Sequence, residues 1–212
     1  MSPAPARHTH AVSRLLEKLL IIIGVVALGY YAWASVEASV YQAYENRELD
    51  AILAAGPKPE ALPGDAAAVP ERTLPPAGSV IGRIEIPRLD VSAIVRAGSD
   101  ARTLQLAVGH IPGTALPGEA GNVGLAAHRD TFFRRLGDVW TDDTIRLVTP
   151  DGTFEYRVER TNVVQPTDVW VLDGTPHPTL TLVTCYPFTY VGSAPERFIV
   201  RARLVGTTAA VP

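Results

Sequence analysis

The chain carries a single cysteine, Cys185, closing the apolar run Thr181-Leu182-Val183-Thr184-Cys185, with Tyr186-Pro187 directly after it. A thiol at the end of a strand and the start of a proline-containing loop stands at a rim, held rigidly yet open to substrate. One thiol excludes an intrachain disulfide framework and any multi-cysteine zinc or iron–sulfur site. It is then either a small buried hydrophobe or a reactive group. A cysteine nucleophile needs a base or imidazolium beside it to raise its thiolate fraction. His128, in Gly124-Leu125-Ala126-Ala127-His128-Arg129-Asp130, ends a second apolar strand candidate and fits that role. His110 precedes a Gly/Pro loop, where a structural hydrogen bond suits it, and His177 lies between Pro176 and Pro178 in a loop. Arg197, in Pro195-Glu196-Arg197-Phe198, starts the last strand candidate; an arginine near the thiol can hold a developing oxyanion. The bland alternatives are a buried thiol, a capping histidine and a strand-edge ion pair.

These side chains meet only if strands bring them together. Ile84 and Ile86 alternate with Arg83 and Glu85, and Phe154, Tyr156 and Val158 alternate with Glu155, Arg157 and Glu159. Phe198, Val200, Ala202 and Leu204 alternate with Ile199, Arg201, Arg203 and Val205. Such period-2 patterns are half-buried strands. Pro150-Asp151-Gly152 reads as a hairpin turn. Helical stretches are short, at residues 101–108 and 131–136. This texture, in residues 80–206, implies an all-β fold, a closed eight-stranded barrel with short helices.

Ahead of it, residues 19–36 form an uncharged run of 18 residues, about 27 Å as a helix and close to bilayer thickness. Arg7, Arg14 and Lys18 precede it and Glu37, Glu45 and Glu48 follow, so the positive-inside bias places residues 1–18 in the cytoplasm and the rest of the chain outside. The run exceeds the usual apolar core of a cleaved signal peptide and reads as one transmembrane anchor. Residues 37 to about 53 continue without Gly or Pro as a helical stalk. A Pro/Ala-rich linker runs to 79, and residues 207–212 read as a disordered tail. Export sharpens the case for Cys185, because a solitary free thiol outside the cytoplasm is unusual unless it is used. The net charge of −3 argues against a nucleic-acid partner. The acidic turn residues Asp142, Asp143 and Asp151 are too sparse for a metal site, and neither a metal nor a cofactor is expected.

The order His, Cys, Arg separates this chain from papain-like enzymes, in which the cysteine comes first. The caspase Q-A-C-x-G signature and the Ser-His-Gly-Cys run of L,D-transpeptidases are both missing. Residues 80–206 resemble the sortases, most closely class D. Thr181 to Cys185 matches the T-L-x-T-C box. His128-Arg129-Asp130 matches the catalytic-histidine segment, with Ala127 where the family commonly has Gly. Arg197 matches the arginine opening the last strand. The resemblance implies a membrane-anchored cysteine transpeptidase acting on exported proteins that carry a C-terminal sorting signal similar to Leu-Pro-x-Thr-Gly or Leu-Pro-x-Thr-Ala. The acceptor would be an amine of a cell-wall peptide or of another protein's lysine. By the resemblance Cys185 is the nucleophile, His128 the general acid and base, and Arg197 the oxyanion stabiliser. The sorting-signal groove would lie beside the cysteine strand, involving Thr184, Tyr186 and the apolar loop residues Val169, Trp170 and Leu172. The rival readings are an exported cysteine peptidase that releases product to water, and a non-catalytic, membrane-tethered β-barrel binding module.

Overall fold

In the computed structural model, which describes residues 7–55, 75–190 and 192–209, the chain divides into two compact units, Met1–Val40 and Tyr41–Pro212. The described residues of the first unit, 7–40, lie within helix α1 (Arg7–Ala55). From Leu15 to Val40 its leucines, isoleucines and valines, with Tyr30, Tyr31 and Trp33, stand exposed. Such a surface is far too apolar for water, and by length and composition the helix is able to cross a membrane.

The second unit is built on eight strands: β1 (Val80–Ile86), β2 (Val91–Ala97), β3 (Val108–His110), β4 (Asn122–Ala126), β5 (Thr144–Thr149), β6 (Gly152–Val164), β7 (Thr179–Tyr186) and β8 (Glu196–Ala209). They close into a barrel in the order β1-β2-β3-β4-β7-β8-β6-β5. The pairs β2/β3 and β4/β7 are parallel, and the others are antiparallel. Alternation sends Ile84, Ile86, Val123, Leu125, Leu180, Leu182, Val200 and Ala202 into one core with Tyr156 and Phe133. The expected closed all-β barrel is therefore the fold, and the Pro150-Asp151-Gly152 turn does join β5 to β6.

Several expected boundaries shift. Residues 207–209 are not tail: β6 is 13 residues long, and its first residues need a partner, so Thr207, Thr208 and Ala209 pair with Phe154, Thr153 and Gly152. Residues 210–212 and the linker residues 56–74 lie outside the described residues. The helix expected over 101–108 is α2 (Ala101–Leu106), capped by the Asp100 carboxylate on the Arg102 and Thr103 amides. It stops where Ala107 turns extended to feed β3. The stretch 131–136 is a run of turns ending in a 3₁₀ helix, Arg134–Asp138, because the Phe133 amide and the Thr131 amide both take the His128 carbonyl.

The end of the expected stalk belongs to the barrel unit. Pairing between β2 and β3 begins only at Val95 and Val108, so the Ile94 amide has no strand partner there. Gln42 supplies one: its Oε1 accepts from Ile94 N at 2.9 Å, and its Nε2 donates to Leu106 O at 2.8 Å. Leu49 is buried against Ile94 and Ala107. The Arg83 guanidinium donates to Asp50 at 2.9 Å and to Asn46 at 3.2 Å.

Candidate active site

The register of the barrel determines which face carries the reactive groups. Along β7, Leu180, Leu182 and Thr184 point into the barrel, so Thr181, Val183 and Cys185 point out. Cys185 sits opposite Arg197 in the β7/β8 pair, and Arg197 in turn faces Val164 of β6. On the other side of β7, Ala126 of β4 is level with Val183. Two residues further, at the level of Cys185, comes His128. Alternation thus turns Cys185 and Arg197 outward as neighbours, and the chain leaving β4 carries His128 toward the same end of the barrel.

The segment before His128 is tied to the strand before Cys185. The Ala127 amide donates to Val183 O at 3.2 Å, and the Thr184 hydroxyl donates to Ala127 O at 2.8 Å. The His128 carbonyl accepts from Phe133 N at 3.2 Å, and the Phe133 ring is buried in the core. The histidine backbone is fixed from both sides while its ring stands exposed. Cys185 is half-buried and free. Arg197 is half-buried too, its Nη1 on Ala194 O at 3.2 Å and Glu196 O at 2.9 Å.

A strand-borne thiol with a histidine on one side and a guanidinium on the other can do acyl transfer: covalent attack, proton transfer and oxyanion stabilisation. A family model described as the sortase domain matches residues 84–205. The chain belongs to the sortase family. It is 32% identical over 200 residues to Sortase D of Bacillus subtilis, covering 92% of this chain and 100% of that one. A solved Sortase D5 transpeptidase of Clostridium perfringens superposes with a TM-score of 0.57 at 32% identity, covering 61% of this chain and 81% of that one. Sortase A of Listeria monocytogenes superposes with a TM-score of 0.56 at 28% identity, covering 62% and 91%. Sortases are cysteine transpeptidases, and this one has its only cysteine at the match to the T-L-x-T-C box.

The structure distributes the expected groove residues over two faces of this sortase. Thr184 is 2% exposed, inside the barrel, with its hydroxyl committed to Ala127 O, so it holds the histidine segment from the interior face. Tyr186 also leaves the outer face. Its ring stacks on Phe198 at 6.1 Å and meets Phe188 edge-on at 6.0 Å, plugging the barrel mouth. Val169 and Trp170, 68% and 55% exposed, lie on a 3₁₀ turn, Val169–Leu172, in the β6–β7 connection. Leu172 packs onto Gly124: a Cβ there would stand 3.1 Å from its Cδ2 and 2.9 Å from Thr114 Cγ2, so glycine lets the loop approach β4.

That loop is pinned from below by residues the motif-based reading passed over. The Asn122 side chain, 2% exposed, donates to Val171 O at 3.1 Å and Asp173 O at 3.2 Å, and accepts from the Thr181 hydroxyl at 2.7 Å. Arg201, read from the sequence as a plain outward residue, donates to Val171 O at 2.6 Å; burial and nearby Arg160 hold it below the usual guanidinium value. A lone amide opening an otherwise apolar strand was the one sequence signal for Asn122.

The other histidines sit elsewhere. His110 is buried under the β3–β4 loop, its Nε2 2.9 Å from Ala115 O and 3.1 Å from Thr114 Oγ1. A carbonyl only accepts, so Nε2 carries the proton. His177 is exposed in its loop. The Asp143 carboxylate is taken by Arg88, at 2.5 and 2.6 Å, and by the Trp140 amide. Among the described residues no group of three His, Cys, Asp or Glu side chains is placed to hold a metal ion.

Proposed function

We propose that this sortase cleaves a Leu-Pro-x-Thr-Gly- or Leu-Pro-x-Thr-Ala-like sorting signal and joins the new carboxyl end to an amine. The observation that supports this reading most directly is the register of Cys185 against Arg197, on the face reached by His128. Cys185 Sγ attacks the threonine carbonyl as the thiol proton passes to His128, and Arg197 stabilises the oxyanion. The C–N bond to the Gly or Ala breaks as His128 gives its proton to the leaving amine, and a thioester remains on Cys185. An incoming amine then attacks the thioester and loses its proton through His128, and the thiol is restored. Splitting the transfer into two acyl steps is what covalent catalysis achieves. Val169 and Trp170 face the Leu-Pro portion of the signal, over a loop floor held by Asn122 and Arg201. The anchor places the barrel outside the cytoplasmic membrane with the N-terminus inside, by the charge bias around residues 19–36. The substrates are exported proteins, and the acceptor is an amine of cell-wall peptide or of a lysine.

The test uses the full chain in detergent with fluorogenic Leu-Pro-x-Thr-Gly and Leu-Pro-x-Thr-Ala peptides and a small amine, with products followed by mass spectrometry. An amine-capped product ending at threonine, absent with Cys185→Ala, is expected. Free acid alone with a series of amines would make the protein a peptidase. An uncleaved peptide beside a thiol inert to iodoacetamide would overturn the assignment.

A further inference from the structure

The β7–β8 connection carries the chain from Cys185 to Arg197, and its described residues run from Pro187 to Pro195 with one gap. Three of its backbone carbonyls converge on one guanidinium that belongs to neither strand. Arg129, the residue after His128, donates through Nη1 to Pro187 O at 2.8 Å and through Nη2 to Tyr190 O at 2.6 Å and Gly192 O at 3.1 Å. Its guanidinium also lies 6.0 Å from the centre of the Tyr190 ring. From this geometry we infer that Arg129 is a positioning residue for acyl transfer. It staples the histidine segment to the loop between the nucleophile and the arginine, and so fixes the separation of His128, Cys185 and Arg197. The inference rests on the roles proposed above for those three residues.

The physical case is one of geometry. The bonds made by Ala127, on the near side of His128, go to Val183 and Thr184 of β7 and not to the loop. On the far side, the chain turns away into the core through Phe133. Among the described residues no hydrogen bond other than those of Arg129 joins the loop to that segment; the Phe188 ring packs against Gly137, and the bond from Tyr190 N to Pro187 O at 3.3 Å lies within the loop. Arginine suits the task because its planar fork presents five donors in fixed directions, and three acceptors at different heights are reached at once. A lysine has three donors on one atom and cannot span the three carbonyls. Misplacing a catalytic group by about 1 Å costs on the order of a hundredfold in rate. The staple lies at the loop surface, so its loss moves the chemistry more than the fold.

The experiment compares wild type, Arg129→Ala, Arg129→Lys, His128→Ala and Cys185→Ala as full chains in detergent. Peptide transfer gives kcat and KM, and the iodoacetamide alkylation rate of Cys185 gives a readout that needs no substrate. For Arg129→Ala, kcat is expected to fall about 10- to 100-fold, with KM within about threefold of wild type. The alkylation rate should move toward that of His128→Ala, and the thermal midpoint should stay within a few degrees. Arg129→Lys should recover part of kcat. Wild-type kcat and alkylation in Arg129→Ala, beside an inactive His128→Ala, would overturn the inference and leave the site reading intact. A loss confined to KM would also overturn it and make Arg129 a substrate contact. So would a collapse of the thermal midpoint shared by both Arg129 variants, which would make it a folding residue. Full turnover in His128→Ala would overturn the site reading, and this inference with it.

Discussion

Replacing Thr184 by valine keeps the side chain's shape and removes one bond, to the carbonyl that precedes His128. A buried carbonyl left without its donor costs about 1–3 kcal/mol. Thr184→Val is therefore expected to lower the thermal midpoint by a few degrees and turnover together, although the Thr184 side chain faces the barrel interior. A variant with full activity and full stability would show that the bond is dispensable. The second threonine of the T-L-x-T-C box thus has a physical reason within this chain, and so does the first, through its bond to Asn122. The three side chains proposed to react were legible in the sequence because each stands at or near the end of a strand. Arg129, Asn122 and Arg201 were not legible as functional. Their partners are backbone carbonyls far away in the chain, and no side-chain pattern marks a carbonyl.

Elements rather than single groups decide how the loops and the helix end behave. Asn122→Ala frees two donors' worth of attachment between β4 and the β6–β7 loop and leaves the Thr181 hydroxyl without its acceptor. Peptide KM is expected to rise several-fold with kcat little changed; an unchanged KM would detach the loop from recognition. The β3–β4 loop depends on neutral His110, whose imidazole is held below the ordinary histidine value by burial. The unfolded chain takes up a proton near pH 6.5 and the folded chain only at lower pH. This contribution to stability is complete above about pH 6.5 and is lost as pH falls below it. Thermal midpoints between pH 5 and 8 should show this slope in wild type and a shallower one in His110→Gln. In the helix, Gln42→Ala removes partners from Ile94 N and Leu106 O at once, and a lower midpoint is expected, with a cost of about 1–3 kcal/mol for each group left unsatisfied. The helical character of residues 37 to about 53 was legible from the absence of Gly and Pro, but the docking was not. Gln42 and Leu49 are ordinary helix residues until β3 is seen to start one position too late to pair with Ile94. The extension of β8 to Ala209 escaped for a related reason: Thr207 to Ala209 show no alternation, and their place is set by the length of β6.

At the scale of the whole molecule, the division at Val40 separates an apolar helix from a self-contained barrel unit. A chain beginning at Tyr41 should leave the membrane fraction and keep peptide transfer, whereas one beginning at Val80 loses Gln42 and Leu49 and should melt at lower temperature. Equal midpoints for the two would show that the helix end adds nothing to the barrel. Closure of the barrel has a different consequence for what the enzyme recognises. Proteins that bind extended peptides by offering an unpaired sheet edge read mostly main chain, and tolerate many sequences. Here β7 is paired with β8 along its whole length and with β4 over Thr179–Val183, so a peptide docking on that strand finds no row of idle amides and carbonyls to extend. A guest segment has to lie across the pleats and be told apart by its side chains. For the sorting signal proposed above, discernment then comes from side chains, because the nucleophile's own strand has no edge to share.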